Sequence, residues 1–371
     1  MKVMAAPARE PYLHSLDLLR GIAAMSVCLY HSGFLLTSRL SILPGGYLCV
    51  DLFFLLSGFV IARTYDPRIA EGMTLGAFSV QRLARLYPLF LATTLVGFLA
   101  VNARLYEEFH TYGGRPLFLT LFGNLFLIPN VLRPFDIQSM FPFNGASWSI
   151  FFEFYVNILF FVCWPLLTLR RIAAFVVVSA VLMAAAAARA HSLDIGTKTY
   201  DLFLTIPRVT FSFFLGVLID RTSRRGPGRF GAWSALFGVG VVLASLCLRG
   251  WLPEKFVWIG DVFTVTVVFP LVVLAFSQLT LVRAEARVGA FLGNISYSVY
   301  LLQTPLLVIY SAMPRVLYHE SIARFAPWAG LVFIPAITGG AFLVWKYFEV
   351  PAKRAVRRWH VAIAGTLSEL A

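Results

Sequence analysis

Arg20 and His31 stand in a stretch that should tolerate neither. Leu16 to Leu36 reads LDLLRGIAAMSVCLYHSGFLL, apolar and long enough to cross a bilayer, yet it carries Asp17, Arg20 and His31. A centrally placed Arg costs about 2.5–3.5 kcal/mol on insertion scales, and ionisable groups inside spans line polar interiors or pathways. A separation of 11 positions returns Arg20 and His31 to nearly the same helix face, about 16 Å apart along the axis. One face therefore offers an anion-holding cation at one depth and a proton-transferring imidazole at another. Asp17, one turn before Arg20, can pair with it. The plain alternatives are a snorkelling Arg20 and a packed, hydrogen-bonded His31.

Four further stretches carry polar groups at informative spacings. The run GGYLCVDLFFLLSGFVIAR, Gly45 to Arg63, places Asp51 near one end of a span, where it is expected to orient His31 as the second member of a base–orienter pair. Ser57 and Gly58 read as small residues for close helix approach. In QRLARLYPL, Gln81 to Leu89, Arg82 and Arg85 share a face. They are either positive-inside anchors or an anion clamp suited to phosphate oxygens, which Arg63 could join. NGASWSIFFEFYVN, Asn144 to Asn157, sets Ser149, Glu153 and Asn157 at steps of four, a polar stripe expected to face the same cavity as His31, with Trp148 as an interfacial aromatic. NISYSVYLLQTPLL, Asn294 to Leu307, repeats Tyr297, Tyr300 and Gln303 at steps of three. Interhelical hydrogen bonds would account for these without chemistry.

The elements that must position these residues are helices in a membrane. Of 371 residues 59% are hydrophobic and 13% charged, well beyond the apolar share of a soluble domain. Apolar stretches fall at 16–36, 46–63, 84–102, 147–168, 172–188, 202–220, 231–248, 258–278, 289–311 and 328–347, so the expected fold class is an all-α polytopic membrane protein of about ten transmembrane helices. A shorter apolar segment at 117–130, bracketed by Pro116, Pro129 and Pro134, decides the topology. If it does not cross, Arg63, Arg68, Arg82 and Arg85, Arg170 and Arg171, Arg221, Arg224, Arg225 and Arg229, Arg283 and Arg287, and the tail Lys353, Arg354, Arg357 and Arg358 all share one side. The positive-inside rule then puts both termini in the cytoplasm and makes 117–130 a re-entrant or interfacial segment that walls a cavity. The net charge of +13 is thereby absorbed by loops, and no basic module points to nucleic acid. Cys28, Cys49, Cys163 and Cys247 lie in apolar runs without C-x-x-C spacing, which reads as packing and predicts neither a disulfide nor a metal site. The chain is read as one membrane domain over 1–371, with its chemistry inside that domain.

In this order the stretches resemble the bacterial integral-membrane acyltransferase family often called acyltransferase family 3, over Leu13 to about Arg358. Arg20 and His31 meet the family's LDxLRGxAxxxVxxxH pattern, Gly45 to Phe59 its GxxGVxxFFxLSGF segment, Arg82 and Arg85 its RxxR motif, and Trp148, Ser149, Glu153 and Tyr155 its WSLSxExxFY segment. The resemblance implies O-acylation of surface polysaccharides or small molecules in the bacterial inner membrane, usually from acetyl-CoA. It makes His31 the essential histidine, as general base or transient acyl carrier, with Arg20 its motif partner and Arg82 and Arg85 contacts for cytoplasmic acyl-CoA. Glu153 and Asp51 complete the catalytic candidates. Trp148, Ser149, Tyr155, Asn157 and Gln303 are candidates for the acceptor side, a polysaccharide or lipid-linked oligosaccharide. Gln303 departs from the family, many members of which have a histidine there, and the soluble SGNH-type domain of some members is not expected. A macrolide-like acceptor remains open. A secondary transporter or flippase is the competing class, against which stands the lack of paired, Gly/Pro-interrupted spans.

Overall fold

The computed structural model describes residues 13–37, 42–103, 105, 114–130, 138–223, 232–356 and 358. Helix dominates and no β-strand occurs among the described residues. In chain order the α-helices are α1 (His14–Ser32), α2 (Cys49–Ala70), α3 (Leu75–Asn102), α4 (Gly114–Leu125), α5 (Ser147–Cys163), α6 (Leu169–Ala190), α7 (Leu202–Ser223), α8 (Ala232–Leu248), α9 (Val257–Phe263), α10 (Phe269–Ser277), α11 (Arg283–Tyr318) and α12 (Trp328–Val344). A π-helical turn, Thr264–Val268, joins α9 and α10 into one rod. Ten helical segments among the described residues are long and apolar enough to cross a membrane. The chain is a multi-pass, all-α membrane protein, as its hydropathy predicts.

The helix α4 is not among those ten. Twelve residues give about 18 Å of rise, short of a hydrocarbon core of about 30 Å. Its Leu117 and Leu121 cluster with Val101 of α3 and with Phe143 of the segment before α5, and the Tyr87 hydroxyl donates to the Leu125 carbonyl at 2.7 Å. Its other face, with Phe118, Leu119 and Phe122, is exposed and apolar. The expected cavity wall is thus formed only at its end, where Phe126 and Leu127 border an apolar crevice of about 750 Å³ against α3 and α5.

Two close helix pairs set the frame, α1 along α11 and α2 along α7. Glycine makes the second possible: a Cβ at Gly58 would sit 1.9 Å from the Phe213 carbonyl oxygen, and one at Gly216 would sit 2.0 Å from that of Leu55. Small residues allow such backbone approach, where dispersion and hydrogen bonds replace the hydrophobic drive.

The alternation of spans gathers one basic end. There Asp66 of α2 accepts from Arg221 of α7 at 2.8 Å and from the indole N–H of Trp164 at 2.9 Å, and Arg68, Arg85 and Lys353 share one cavity. Arg224, Arg225, Arg229, Arg357 and Pro134 lie outside the described residues. Two helices are longer than their hydropathy suggests. α3 begins at Leu75, not 84, because Gln81, Arg82 and Arg85 lower the hydropathy of a turn that faces the protein interior. α11 runs unbroken for 36 residues with Pro305 and Pro314 inside it.

Candidate functional site

At the basic end, α1, α2, α3, α11 and the turn after α12 enclose a polar cavity of about 350 Å³. Its cations are Arg20, Arg68, Arg82, Arg85 and Lys353, with Gln81, Asn294, Tyr297, Trp345 and Glu349 between them. Arg20 keeps its expected neighbour, Asp17, at 3.7 Å. Lys353 is paired with Glu349, which also accepts from Ser298 at 2.8 Å. Five cations against one carboxylate in the lining leave a field that attracts polyanions, and guanidinium forks match phosphate oxygens.

Arg20, Arg82, Arg85 and Tyr297 also line a narrower, more enclosed pocket of about 70 Å³ deeper in the bundle, closed by Phe53, Ser57, Ser149, Glu153 and Tyr300. Arg82 is 3% exposed and joins the two spaces. One guanidinium nitrogen donates to Glu153 Oε1 at 2.8 Å, while its Nε has no hydrogen-bond partner among the described residues. Ser57 donates to the same carboxylate oxygen at 3.2 Å. Ser149 and the Tyr300 hydroxyl are 2.8 Å apart, and the Tyr300 ring meets Phe53 edge-on at 5.5 Å. A low-dielectric pocket with one incompletely satisfied guanidinium can hold the polar arm of an acyl thioester.

His31 stands elsewhere. It is exposed at the opposite end of α1, its ring edge-on to Tyr30 at 5.0 Å, and lines neither cavity. The expected pairing with Asp51 does not form. Asp51 is buried beside α7, where Arg208 Nε donates to both carboxylate oxygens at 3.0 Å, a terminal nitrogen donates at 2.6 Å and Ser212 at 3.2 Å. Its oxygens are taken up by Arg208, so no acceptor is left to orient an imidazole. Glu153 and Ser149, expected at the depth of His31, open instead on the arginine-lined pocket. The cause is visible in the residues before α5: Met140, Phe141 and Phe143 are buried, so the helix starts inside the bundle and counting from its first residue misplaces Glu153.

The other expected residues divide. Arg85 lines both cavities. Arg63 lines neither; it lies over the Phe59 ring at 5.6 Å, and Arg68, five positions on and so on another helix face, takes the expected place. Trp148 is 6% exposed, beneath the Arg208 guanidinium at 5.5 Å, so it is a packed ring and not an interfacial anchor. Tyr155 borders the apolar crevice. Asn157 and Gln303 are buried and line neither cavity, the Gln303 amide donating to the Tyr300 carbonyl at 3.2 Å. Arg68 and Lys353 were legible only as positive-inside charges, and Ser57 only as a packing residue.

Comparison with known proteins identifies the family of the chain. The sequence profile of a family described as "Acyltransferase domain" matches residues 13–346. A Rhizobium radiobacter protein named "Protein 2 in picA locus" is 32% identical over 194 residues, 47% of this chain and 93% of its own length. A Bacillus subtilis protein named "Putative peptidoglycan O-acetyltransferase YrhL" is 30% identical over 166 residues, 42% of this chain and 23% of that longer protein. No solved structure gives a significant match. With the profile covering nine-tenths of its length, the chain belongs to acyltransferase family 3, the integral-membrane acyltransferases.

Proposed function

We propose that the chain moves an acyl group, acetyl in the simplest case, from acyl-CoA at the basic end to a hydroxyl of a surface or exported polysaccharide at the opposite end. The observation that carries this reading is the basic cavity narrowing into a pocket where Arg82, Glu153, Ser57 and Ser149 meet. By the positive-inside rule the basic end and both termini face the cytoplasm, the compartment that holds CoA thioesters. Arg68, Arg85 and Lys353 receive the phosphates of CoA; Arg20 and Arg82 line the passage through which the pantetheine arm extends towards His31. The polysaccharide acceptor is consistent with the name of the Bacillus relative.

In the transfer an acceptor hydroxyl oxygen attacks the thioester carbonyl carbon, the new C–O bond forms and the C–S bond breaks. His31 takes the hydroxyl proton as general base, and that proton returns to the departing CoA thiolate. An imidazole suits the task because its ordinary pKa lies near neutrality. Arg20 and His31 lie about 16 Å apart along α1, the distance the pantetheine arm has to carry the acyl group.

The test is the purified chain with labelled acetyl-CoA and surface polysaccharide from cells lacking the gene, followed by mass spectrometry of the glycan. Wild type is expected to release CoA and add acetyl mass to the sugar. His31→Ala should do neither at an unchanged melting temperature, because its side chain is exposed. Wild-type turnover in His31→Ala would sink the assignment of the base, and absence of any CoA release from the wild type would favour a transporter.

A further inference from the structure

The loop between α6 and α7, residues 191–201, is held to the bundle with unusual thoroughness for a surface connection. The Leu193 N–H and the Ser192 hydroxyl donate to the buried Asp261 at 2.9 and 3.1 Å, the Ile195 carbonyl accepts from Arg208 at 2.6 Å, and the Gly196 N–H donates to Asp201 at 3.2 Å. Loops at a membrane protein's surface are ordinarily the mobile parts. What this one holds steady is Asp194, whose own N–H is tied to Ser192 at 3.0 Å. Asp194 is exposed, and one carboxylate oxygen accepts from the Tyr30 hydroxyl at 2.9 Å.

Tyr30 is the immediate neighbour of His31. Its ring is the middle of a ladder in which Arg249 covers Tyr47 at 5.2 Å, Tyr47 meets Tyr30 edge-on at 5.6 Å, and Tyr30 meets the imidazole at 5.0 Å. The Tyr47 hydroxyl is fixed in turn by Asp261 at 2.6 Å. His31 and Asp194 therefore both lie against Tyr30, carried by α1 and by the α6–α7 loop. No direct hydrogen bond or ion pair joins them among the described residues, and the second Asp194 oxygen accepts nothing there. An exposed imidazole and an exposed carboxylate on either side of one tyrosine ring suit an uncharged ring bearing several hydroxyls. The carboxylate takes charge-assisted hydrogen bonds from hydroxyls and the half-buried Tyr30 ring takes the C–H face. The same carboxylate repels a phosphorylated or carboxylated acceptor.

We propose that Asp194 is the acceptor-binding residue of this protein: it accepts a hydrogen bond from a hydroxyl of an uncharged sugar ring and so presents a neighbouring hydroxyl to His31. The inference rests on the acyl-transfer reading above, and its failure can be told from the failure of that reading. The full chain, reconstituted in nanodiscs, is given labelled acetyl-CoA and increasing amounts of surface polysaccharide from gene-deleted cells. CoA release without polysaccharide, the KM for acetyl-CoA and the KM for polysaccharide are measured separately.

Asp194→Asn is expected to raise the KM for polysaccharide about tenfold, the loss of one charge-assisted hydrogen bond, while leaving the KM for acetyl-CoA and the sugar-independent release of CoA unchanged. Asp194→Glu should recover part of the loss, and Tyr30→Phe, which keeps the ring but frees the carboxylate, should give a smaller rise. A polysaccharide KM in Asp194→Asn equal to wild type overturns the proposal, as does a parallel rise in both KM values. If the wild type itself labels no sugar, the polysaccharide reading has failed and the inference falls with it.

Discussion

Among the arginine–carboxylate pairs that cross between helices in this protein, Arg208–Asp51 and Arg82–Glu153 are built on opposite terms. Arg208 and Asp51 have side chains 1% and 0% exposed. Their bonds leave little unspent, since Arg208 also donates to the carbonyls of Ile195 and Tyr47 and lies over Trp148. Arg82 and Glu153 are 3% and 20% exposed. Arg82 donates to Glu153 Oε1 at 2.8 Å, keeps an Nε without a partner among the described residues, and borders two cavities. A buried ion pair by itself says little about stability or function. Satisfaction separates the two: the complete pair pins α2, α7 and the 191–201 loop together, whereas the incomplete one has binding capacity left for a ligand.

The largest effect should come from breaking the complete pair. Asp51→Ala leaves a guanidinium in the bundle without its carboxylate, a loss of about 3–5 kcal/mol, read as a much lower melting temperature in detergent or as failure to purify. Asp51→Leu combined with Arg208→Met should recover most of that loss, because an apolar pair of similar volume is often neutral or stabilising. A melting temperature for Asp51→Ala close to wild type would erase the distinction between the pairs.

That distinction shows where sequence reading stops. Ten spans and one basic end were legible because bilayer thickness and the cost of translocating cations act on local composition. Pairings that depend on three-dimensional neighbours were not. Arg208 lies 157 positions from Asp51, in a stretch that reads as one more apolar span, so Asp51 was offered the nearest imidazole instead. Depth by residue counting failed for Glu153 because buried Met140, Phe141 and Phe143 lower the start of α5. Arg63 was preferred to Arg68 because the hydropathy of α2 ends where its helix does not; the helix continues to Ala70. Arg20, Arg82 and Arg85 do line the basic cavity, since a cation that faces inward from an apolar helix is informative wherever its partner lies.

The incomplete pair should respond in the opposite way. Glu153→Gln keeps an acceptor for Arg82 and for Ser57, so stability should change by about 1 kcal/mol or less. The neutral amide no longer holds the guanidinium electrostatically, and the KM for acetyl-CoA is expected to rise about tenfold, as for loss of one charge-assisted bond. Steady-state kinetics and thermal melting on the same preparation decide the matter. Destabilisation equal to that of Asp51→Ala, with donor affinity intact, would make Glu153 a structural residue.

The smallest effect belongs to a third pair. Arg324 and Glu320, four positions apart in the connection between α11 and α12, are in contact but 69% and 39% exposed. Water solvates both members, salt screens them over about 8 Å at physiological ionic strength, and ordering two long side chains offsets most of the attraction. Glu320→Gln should therefore move stability by about 0–0.5 kcal/mol, with any difference from wild type vanishing in high salt. The three pairs then form a series in which contact between the charged groups is common to all and only their surroundings change. A large, salt-independent loss in Glu320→Gln would show that contact alone sets the cost, and would remove burial and hydrogen-bond satisfaction as the grounds for assigning Arg208 to the frame and Arg82 to the site.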